Sequence, residues 1–547
     1  MNWEQYKQQI EERGKLPEDW YIIGIDLGTT NSIISYWDNS NSRPEPIDIS
    51  NGFGKIPLPS VVQYREEDSD KDEPAEWVIG EEAYRTIKIY PETTIRSVKR
   101  LMGTNETFTL GGLQLLPEDI SAKILQELVE HVNDLNPKAE IAGLVVSVPY
   151  DFDDAAKKAT MRACELAGLS DKLICLIEEP KAATLTFNAR NQLDLNEKIM
   201  VFDFGGGTLD ITIFHITEKD ENRIKLHVIS EGGEAFHGGD NIDDVLLEQC
   251  YEYVHKKTGQ TQEEIAPENQ IELAVRAREA KERLSGVKFF RIPFTFCIPP
   301  FVEQLTREDF QEMIRPFIDK TRKLVQRALR EAYTGALTAD DIDRVLLEGG
   351  SSKMPWVREM LLDIFNDDGK IYVSELPAGN ISIGATYYAA MKMGLLAQPD
   401  MESEKITVEF EVTVPHDIGL EITGTGGSKF FPMIRRGTSY SLAKKSQIFT
   451  LSGTTPEEMQ TFDLRILERM HKEDTFEKCK LIGEVSIIGL PERPSGKTKL
   501  KITLMVEEEG GLVKGTVEDM GFGDEFPSSD FKEDFDPDRF VKTIVGK

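Results

Sequence analysis

One pattern occurs twice in this chain and limits its fold more than any other. Residues 21–37 (YIIGIDLGTTNSIISYW) and 198–216 (KIMVFDFGGGTLDITIFHI) each read as an apolar strand, a turn of glycine and hydroxyl residues, and a second apolar strand. In both, an aspartate, Asp26 or Asp203, stands just before the turn. Two copies of a strand–glycine turn–strand unit imply two related halves that face a cleft. The segments between them are consistent with an α/β arrangement. IAGLVVSVP (141–149) is a buried strand by its continuous apolar run, residues 118–134 and 153–167 are helical, and Gly168 is a natural stop. A long helical region runs from about 241 to 285, RVLLEGGSSKMPWVREMLLDIF (344–365) is strand, glycine turn and helix, and 382–396 is a helix of small residues.

After about residue 398 the texture changes to alternation with period two, in MESEKITVEFEVTV, SQIFTLS, TFDLRILE and KLKITLMVEEEGGLVKGTVED. That is the pattern of an antiparallel β-sandwich. The expected organisation is a polar N-terminal extension at 1–20, a two-lobed α/β domain at 21–398, a linker at 399–410, a β-sandwich at 411–519 and an acidic tail at 520–547. The tail carries Phe522, Phe526, Phe531, Phe535 and Phe540, and its composition predicts a mobile segment or one docked on another surface.

Charge and cysteine content narrow the function classes. Lys and Arg number 64 against 96 Asp and Glu, a net charge of −32 over 547 residues, which disfavours nucleic-acid backbone binding and favours a soluble monomer. Five scattered cysteines without CxxC spacing argue against a disulfide framework and a zinc site. The first twenty residues hold no signal-peptide core, and charges interrupt every long apolar run, so a cytoplasmic location and no membrane contact are expected.

The turns carry the chemistry. Glycines and small hydroxyl side chains let backbone N–H groups approach a phosphate closely, and an aspartate at a strand end can hold a hydrated divalent cation. Gly28, Thr29, Thr30 and Asn31 form the first such turn, and Gly205, Gly206, Gly207 and Thr208 the second. Either turn alone reads as a plain hairpin; the matched pair reads as a phosphate site gripped from two sides. A Walker loop is absent. A third glycine cluster, Glu348 to Ser352, opens a helix and suits an anion or nucleoside contact.

These segments resemble the heat-shock protein 70 family of ATP-driven chaperones, built on the actin-like ATPase fold. IGIDLGTTNS, VPYDFDDAAKKAT, IEEPKAAT, VFDFGGGTLDITI, FHGGDNIDDVL and LLEGGSSKMP follow in the family's order from residue 21 to about 519. The resemblance implies ATP or ADP with Mg²⁺, and K⁺ as a further candidate. Asp26 and Asp203 would orient magnesium through water, and Thr29, Thr30 and Thr208 would touch phosphates. Lys99 would steady the γ-phosphate and the attacking water, which Glu179 and Asp210 help to place. Gly238, Gly239 and Asp240 match an inter-lobe clasp. Lys281, Ser285, Gly349, Gly350, Ser351 and Lys353 match the nucleotide's remaining contacts. Pro149 and Lys157 match an interdomain relay. In the sandwich, Thr423 and Ser452 would arch over an extended peptide, with Phe462 and Leu464 at its pocket.

The sequence also departs from the family. Arg278 stands where an acid is usual, Glu282 follows the nucleoside lysine, Lys353 and Lys157 replace arginines, and Ala378 replaces a ribose-side aspartate. Asp151 replaces an aromatic residue after Pro149, and Cys175 and Glu178 alter the surface that J-domain co-chaperones read. The family's helical lid has no counterpart in residues 520–547. The implied function is an ATP-hydrolysing chaperone whose nucleotide state governs binding of unfolded or extended polypeptide, served by a J-domain-type co-chaperone and a nucleotide exchange factor. The alternative is a nucleotide-sensing adaptor with one dedicated client and an uncoupled ATPase.

Overall fold

The computed structural model describes residues 1–49, 56–66, 75–87, 89–150, 152–190, 193–219, 223–234, 236–373, 379–395, 407–411, 413–414, 416–424, 427–452, 460–469, 474–506, 513–535 and 542–545. The chain forms two compact units, Met1–Phe410 and Glu411–Lys547.

The first unit is built on two six-stranded sheets. At the centre of the first, Trp20–Asp26 pairs antiparallel with Asn31–Asp38 and parallel with Glu140–Val148. At the centre of the second, Lys198–Phe204 pairs antiparallel with Leu209–Lys219 and parallel with Arg344–Glu348. The hairpin is thus repeated with the same neighbours. Strands covered on both faces read as continuous apolar runs. Accordingly Ile22, Ile23, Ile25, Met200, Val201 and Phe202 are fully buried. Each such large side chain contributes roughly 1.5–3 kcal/mol on burial, so both hairpin stems are rigid where they deliver their aspartates.

The small-residue helix occupies Asn380–Lys392. Its composition follows from its place between the first hairpin and the helix Glu179–Arg190. A Cβ on Gly24 would come within 2.3 Å of the Thr386 nitrogen, and one on Gly384 within 1.8 Å of the Ala182 oxygen. The N-terminal extension is less polar in its contacts than in its composition. Trp3–Arg13 is a helix closed by an Asn2/Gln5 capping box, and it buries Tyr6 and Ile10, with the Tyr6 ring edge-on to Trp20 at 4.6 Å.

The strand Thr407–Glu411 forms the edge of the second sheet, next to Arg223–Glu234. Residues 399–406 of the expected linker lie outside the described residues, as do Asp151, Ala378 and Phe540.

The second unit is a sandwich. One sheet runs Gly427–Ile434, Asp417–Gly424, Thr461–Arg469, Lys480–Ile488, Lys542–Val545; the other runs Lys444–Leu451, Thr498–Val506, Val513–Gly521, Lys532–Phe535. Burial along Val513–Gly521 alternates as its sequence does. The tail differs from its expectation as a mobile or separately docked segment. Lys532–Phe535 pairs antiparallel with Val513–Gly521, and Lys542–Val545 pairs parallel with Lys480–Ile488. The reason is local: Phe535 is buried, and its ring occupies the space where a Cβ on Gly515 would sit, 2.2 Å from Cζ.

Among the described residues, no helix is long and apolar enough to cross a membrane.

Candidate functional site

The two hairpin turns meet. A Cβ on Gly206 would lie 1.9 Å from the Thr30 hydroxyl, and one on Gly207 would lie 2.6 Å from the Thr29 hydroxyl. Only glycine permits that approach, which explains Gly206 and Gly207 better than turn geometry does. Gly238 closes on the same turn, since its Cβ would lie 2.3 Å from the Gly206 oxygen. The Gly239 N–H donates to the Gly205 carbonyl at 3.0 Å and the Asp240 N–H to the Gly206 carbonyl at 2.8 Å, so the helix Gly239–Thr258 starts directly against the second turn. Thr30 and Ser97 both donate to Asp240, at 3.4 and 3.1 Å. Gly349, at φ +77°, brings the third glycine cluster against the end of the second strand, where a Cβ would lie 2.4 Å from the Phe204 oxygen and 2.7 Å from Asp203 Oδ1.

Together these elements enclose a cavity of about 220 Å³. Of the residues marked in the sequence, Asp26, Gly28, Thr29, Thr30, Asn31, Lys99, Glu179, Asp203, Gly205, Gly206, Gly207, Thr208, Asp240, Lys281, Ser285, Gly349, Gly350 and Ser351 line it. Asp210 stands behind it and accepts from the Thr208 hydroxyl at 2.9 Å. Gly238 and Gly239 pack against the second turn, with the Gly239 carbonyl accepting from Lys281 at 3.0 Å. Lys353 is exposed on the following 3₁₀ turn and is not part of the lining. Pro149 and Lys157 also lie outside the lining; Lys157 reaches Glu178 at 3.6 Å, and Glu178 is bridged by Lys181 at 2.6 Å.

Electrostatically the cavity is strained. Lys99 and Glu179 form a buried ion pair, 7% and 8% exposed. Burial opposes the lysine's charge, but Glu179 and Asp26 outweigh it and hold Lys99 above its ordinary range. Burial, then the charge of Glu179, pushes Asp26 up to about 7, although Ser147 donates to it at 3.1 Å. Asp203 is pushed well up by burial and by the charges of Glu179 and Asp210. Around Lys99 the three acids Asp26, Glu179 and Asp203 leave an excess of negative charge that a cation would relieve. Among the described residues, no group of three His, Cys, Asp or Glu side chains could hold a metal ion directly. Two carboxylates beside open space fit a cation that keeps most of its water, which is the habit of magnesium.

Several lining or supporting residues carry no local sequence signal. Arg100 donates to the Gly206 and Gly207 carbonyls at 3.1 and 3.0 Å, joining the lysine's turn to the second hairpin. Ile33, Met354 and Ile381 supply apolar wall, and Asn380 donates to Glu348 at 3.0 Å. Arg278 and Glu282, seen in the sequence only as departures, line the cavity as an ion pair at 3.1 Å.

In the second unit, Thr423 and Ser452 are exposed, and Thr423 lies 3.3 Å from Ser428 across its hairpin. Phe462 is half-buried, whereas Leu464 is 4% exposed and belongs to the sandwich core with Ile466 and Val485. Residues 425–426 and 453–459, in the neighbouring loops, lie outside the described residues.

Comparison with known proteins adds an independent line. A family model described as Hsp70 protein matches residues 22–109 and 106–525. The chaperone protein DnaK of Thermosipho africanus is 31% identical over 514 residues, covering 92% of this chain and 79% of that protein. DnaK of Mycoplasmopsis agalactiae is 31% identical over 499 residues, with 89% and 75% covered. DnaK of Thermotoga maritima is 31% identical over 518 residues, with 92% and 79% covered.

Proposed function

The chain belongs to the Hsp70 family, and from that premise we propose that it is a chaperone that binds and hydrolyses ATP in the cavity between its hairpins and uses nucleotide state to govern polypeptide binding. The observation that carries the reading is the buried Lys99–Glu179 pair facing Asp26 and Asp203 beside two interlocked glycine turns.

Phosphoryl transfer to water needs positioning and charge neutralisation more than covalent chemistry. Asp26 and Asp203 would hold magnesium through water, and the ion would supply positive charge against the outer phosphates. The Thr29, Thr30 and Thr208 hydroxyls and the neighbouring backbone N–H groups fix those phosphates from two sides. Lys99 faces the γ-phosphate. Glu179, oriented by Lys99, and Asp210, oriented through Thr208, position the attacking water. Its oxygen bonds to the γ-phosphorus as the bridging bond to the β-phosphate breaks, the electron pair leaves with ADP, and the water's protons end on the released phosphate or in solvent. Gly238–Asp240 and Gly349–Ser351 clasp the nucleotide, with Lys281 and Ser285 on its nucleoside side.

In the second unit, the hairpin edges and loops around Thr423, Ser452 and Phe462 are the proposed grip on an extended polypeptide. A J-domain-type co-chaperone and a nucleotide exchange factor are proposed partners, reading a surface altered at Cys175 and Glu178. The test is the affinity and off-rate of a labelled extended apolar peptide with ADP and then with ATP and Mg²⁺. Weaker, faster binding in ATP is expected. Equal binding in the two states defeats the coupled reading and leaves a nucleotide-sensing adaptor.

A further inference from the structure

The catalytic cavity does not stand alone. A second cavity, of about 240 Å³, shares Thr29, Thr30, Asp240 and Arg278 with it and adds Arg96 and Arg100. A third, of about 210 Å³, shares Tyr84, Arg96 and Arg278 with the second. The three therefore adjoin around the guanidinium of Arg278, which lines them all, and Arg96 lines the second and third together.

Arg100 is the informative member. Its Nη2 is spent on the Gly206 and Gly207 carbonyls. Its Nε is buried and has no hydrogen-bond partner. That nitrogen sits where the two turns meet, since a Cβ on Gly207 would lie 3.0 Å from it and 2.6 Å from the Thr29 hydroxyl. A buried guanidinium N–H without an acceptor is costly, and a tetrahedral oxyanion is the acceptor that matches a guanidinium best. The middle cavity also holds acids, but most are engaged. Asp243 pairs with Lys281 at 2.8 Å, and Asp240 accepts from Thr30 and Ser97 and faces Arg100 at 3.7 Å. Asp244 lines the same cavity within the fields of Arg100, Arg96 and Lys281.

We propose that the middle cavity is a transit site for inorganic phosphate, which passes from the catalytic cavity between Thr29, Thr30 and Arg100 and leaves past Arg96. The proposal rests on the ATPase reading above for its source of phosphate. No bond is made or broken in transit. ADP stays behind because the clasp holds it, and phosphate crosses when the close contact of Thr29 and Thr30 with Gly207 and Gly206 opens.

The test uses the full chain and Arg96→Glu, a substitution at an exposed residue outside the catalytic lining. In a single turnover, acid quenching reports ADP formation and a fluorescent phosphate sensor reports release. Expected are ADP formation within about twofold of wild type and phosphate release about tenfold slower in Arg96→Glu, with Arg96→Lys close to wild type. Calorimetric titration of inorganic phosphate into the ADP- and Mg²⁺-loaded protein should give an affinity about tenfold weaker in Arg96→Glu. If the wild type forms no ADP, the ATPase reading fails, and the titration still decides the site. Equal phosphate affinity in wild type and Arg96→Glu, or equal release rates where turnover occurs, overturns the proposal.

Discussion

Each unit of this chain buries an ion pair, and the two pairs have opposite surroundings. In the second unit, Arg493 and Asp519 are 5% and 0% exposed and bonded twice, at 2.7 Å each. Further bonds support the pair there: Asp519 accepts from the Gly521 N–H, the Ser529 N–H and the Ser529 hydroxyl at 3.0, 2.8 and 2.8 Å, and Arg493 donates to the Pro527 carbonyl at 2.7 Å. Burial alone would raise the aspartate, but these bonds outweigh it and hold Asp519 down at about 2. In the first unit, Lys99 and Glu179 are as deeply buried, yet Asp26 and Asp203 beside them are driven up. A saturated pair is a staple. A pair surrounded by unmatched charge is a site built for a charged ligand.

The sharpest way to break that comparison is to remove one partner from each pair. Glu179→Ala and Lys99→Ala should lower ATP turnover by about 100-fold or more while leaving nucleotide binding largely intact, as steady-state phosphate release and nucleotide titration would report. Unchanged turnover in both removes the catalytic assignment. Arg493→Ala should instead cost the second unit roughly 3–5 kcal/mol, because it strands a buried carboxylate. Hydrogen exchange in Val513–Gly521 and Lys532–Phe535 would read this directly.

Two left-handed glycines sharpen the same contrast. At Gly349 (φ +77°) an alanine Cβ meets the Phe204 oxygen at 2.4 Å, whereas at Gly523 (φ +74°) nothing lies within 4 Å. Gly349→Ala should cost about 1–3 kcal/mol and weaken nucleotide binding; Gly523→Ala should cost about 1 kcal/mol, the backbone strain alone. Thermal melts paired with nucleotide titration separate the two.

The smallest effect is one of pH, with opposite signs in the two units. The stability that Asp519 contributes is present above its ordinary pKa of 3.8 and is lost as pH falls toward 2. Glu231 is pushed up to about 7 by burial, against hydrogen bonds from Tyr150 and Tyr333, so its folded form favours the proton. That contribution is complete below 4.5 and is lost as pH rises through 7. Local hydrogen exchange across both ranges should show the first unit loosening on the alkaline side and the second on the acid side.

Legibility in the sequence followed the range of the interaction that fixes each residue. Asp26, Asp203 and the glycine–threonine turns were readable because strand, turn and aspartate are contiguous and their conformations are local. Lys99 and Glu179 were readable only through a family resemblance, since nothing in RSVKRLMG or IEEPKAAT says that they meet across eighty positions. Arg100 carries no local signal, because its bonds to the Gly206 and Gly207 carbonyls depend on where another hairpin lies. Leu464, which the resemblance places at a peptide pocket, stands in the sandwich core. The tail is not legible because its phenylalanines recur every four or five residues, a spacing that fits neither a strand nor a helix, and the partner that accepts Phe535 is a glycine twenty positions earlier.

The sequence by itself determined the two hairpins, the paired aspartates, the alternating β-domain and the family, all of which rest on short-range pattern and motif order. Only the tertiary structure decided that the turns touch, that a lysine and a glutamate neutralise each other beneath them, and that three cavities adjoin beside them. The physical reason is that charge and close packing act between neighbours in space. A chain records its neighbours in order but not its neighbours in space.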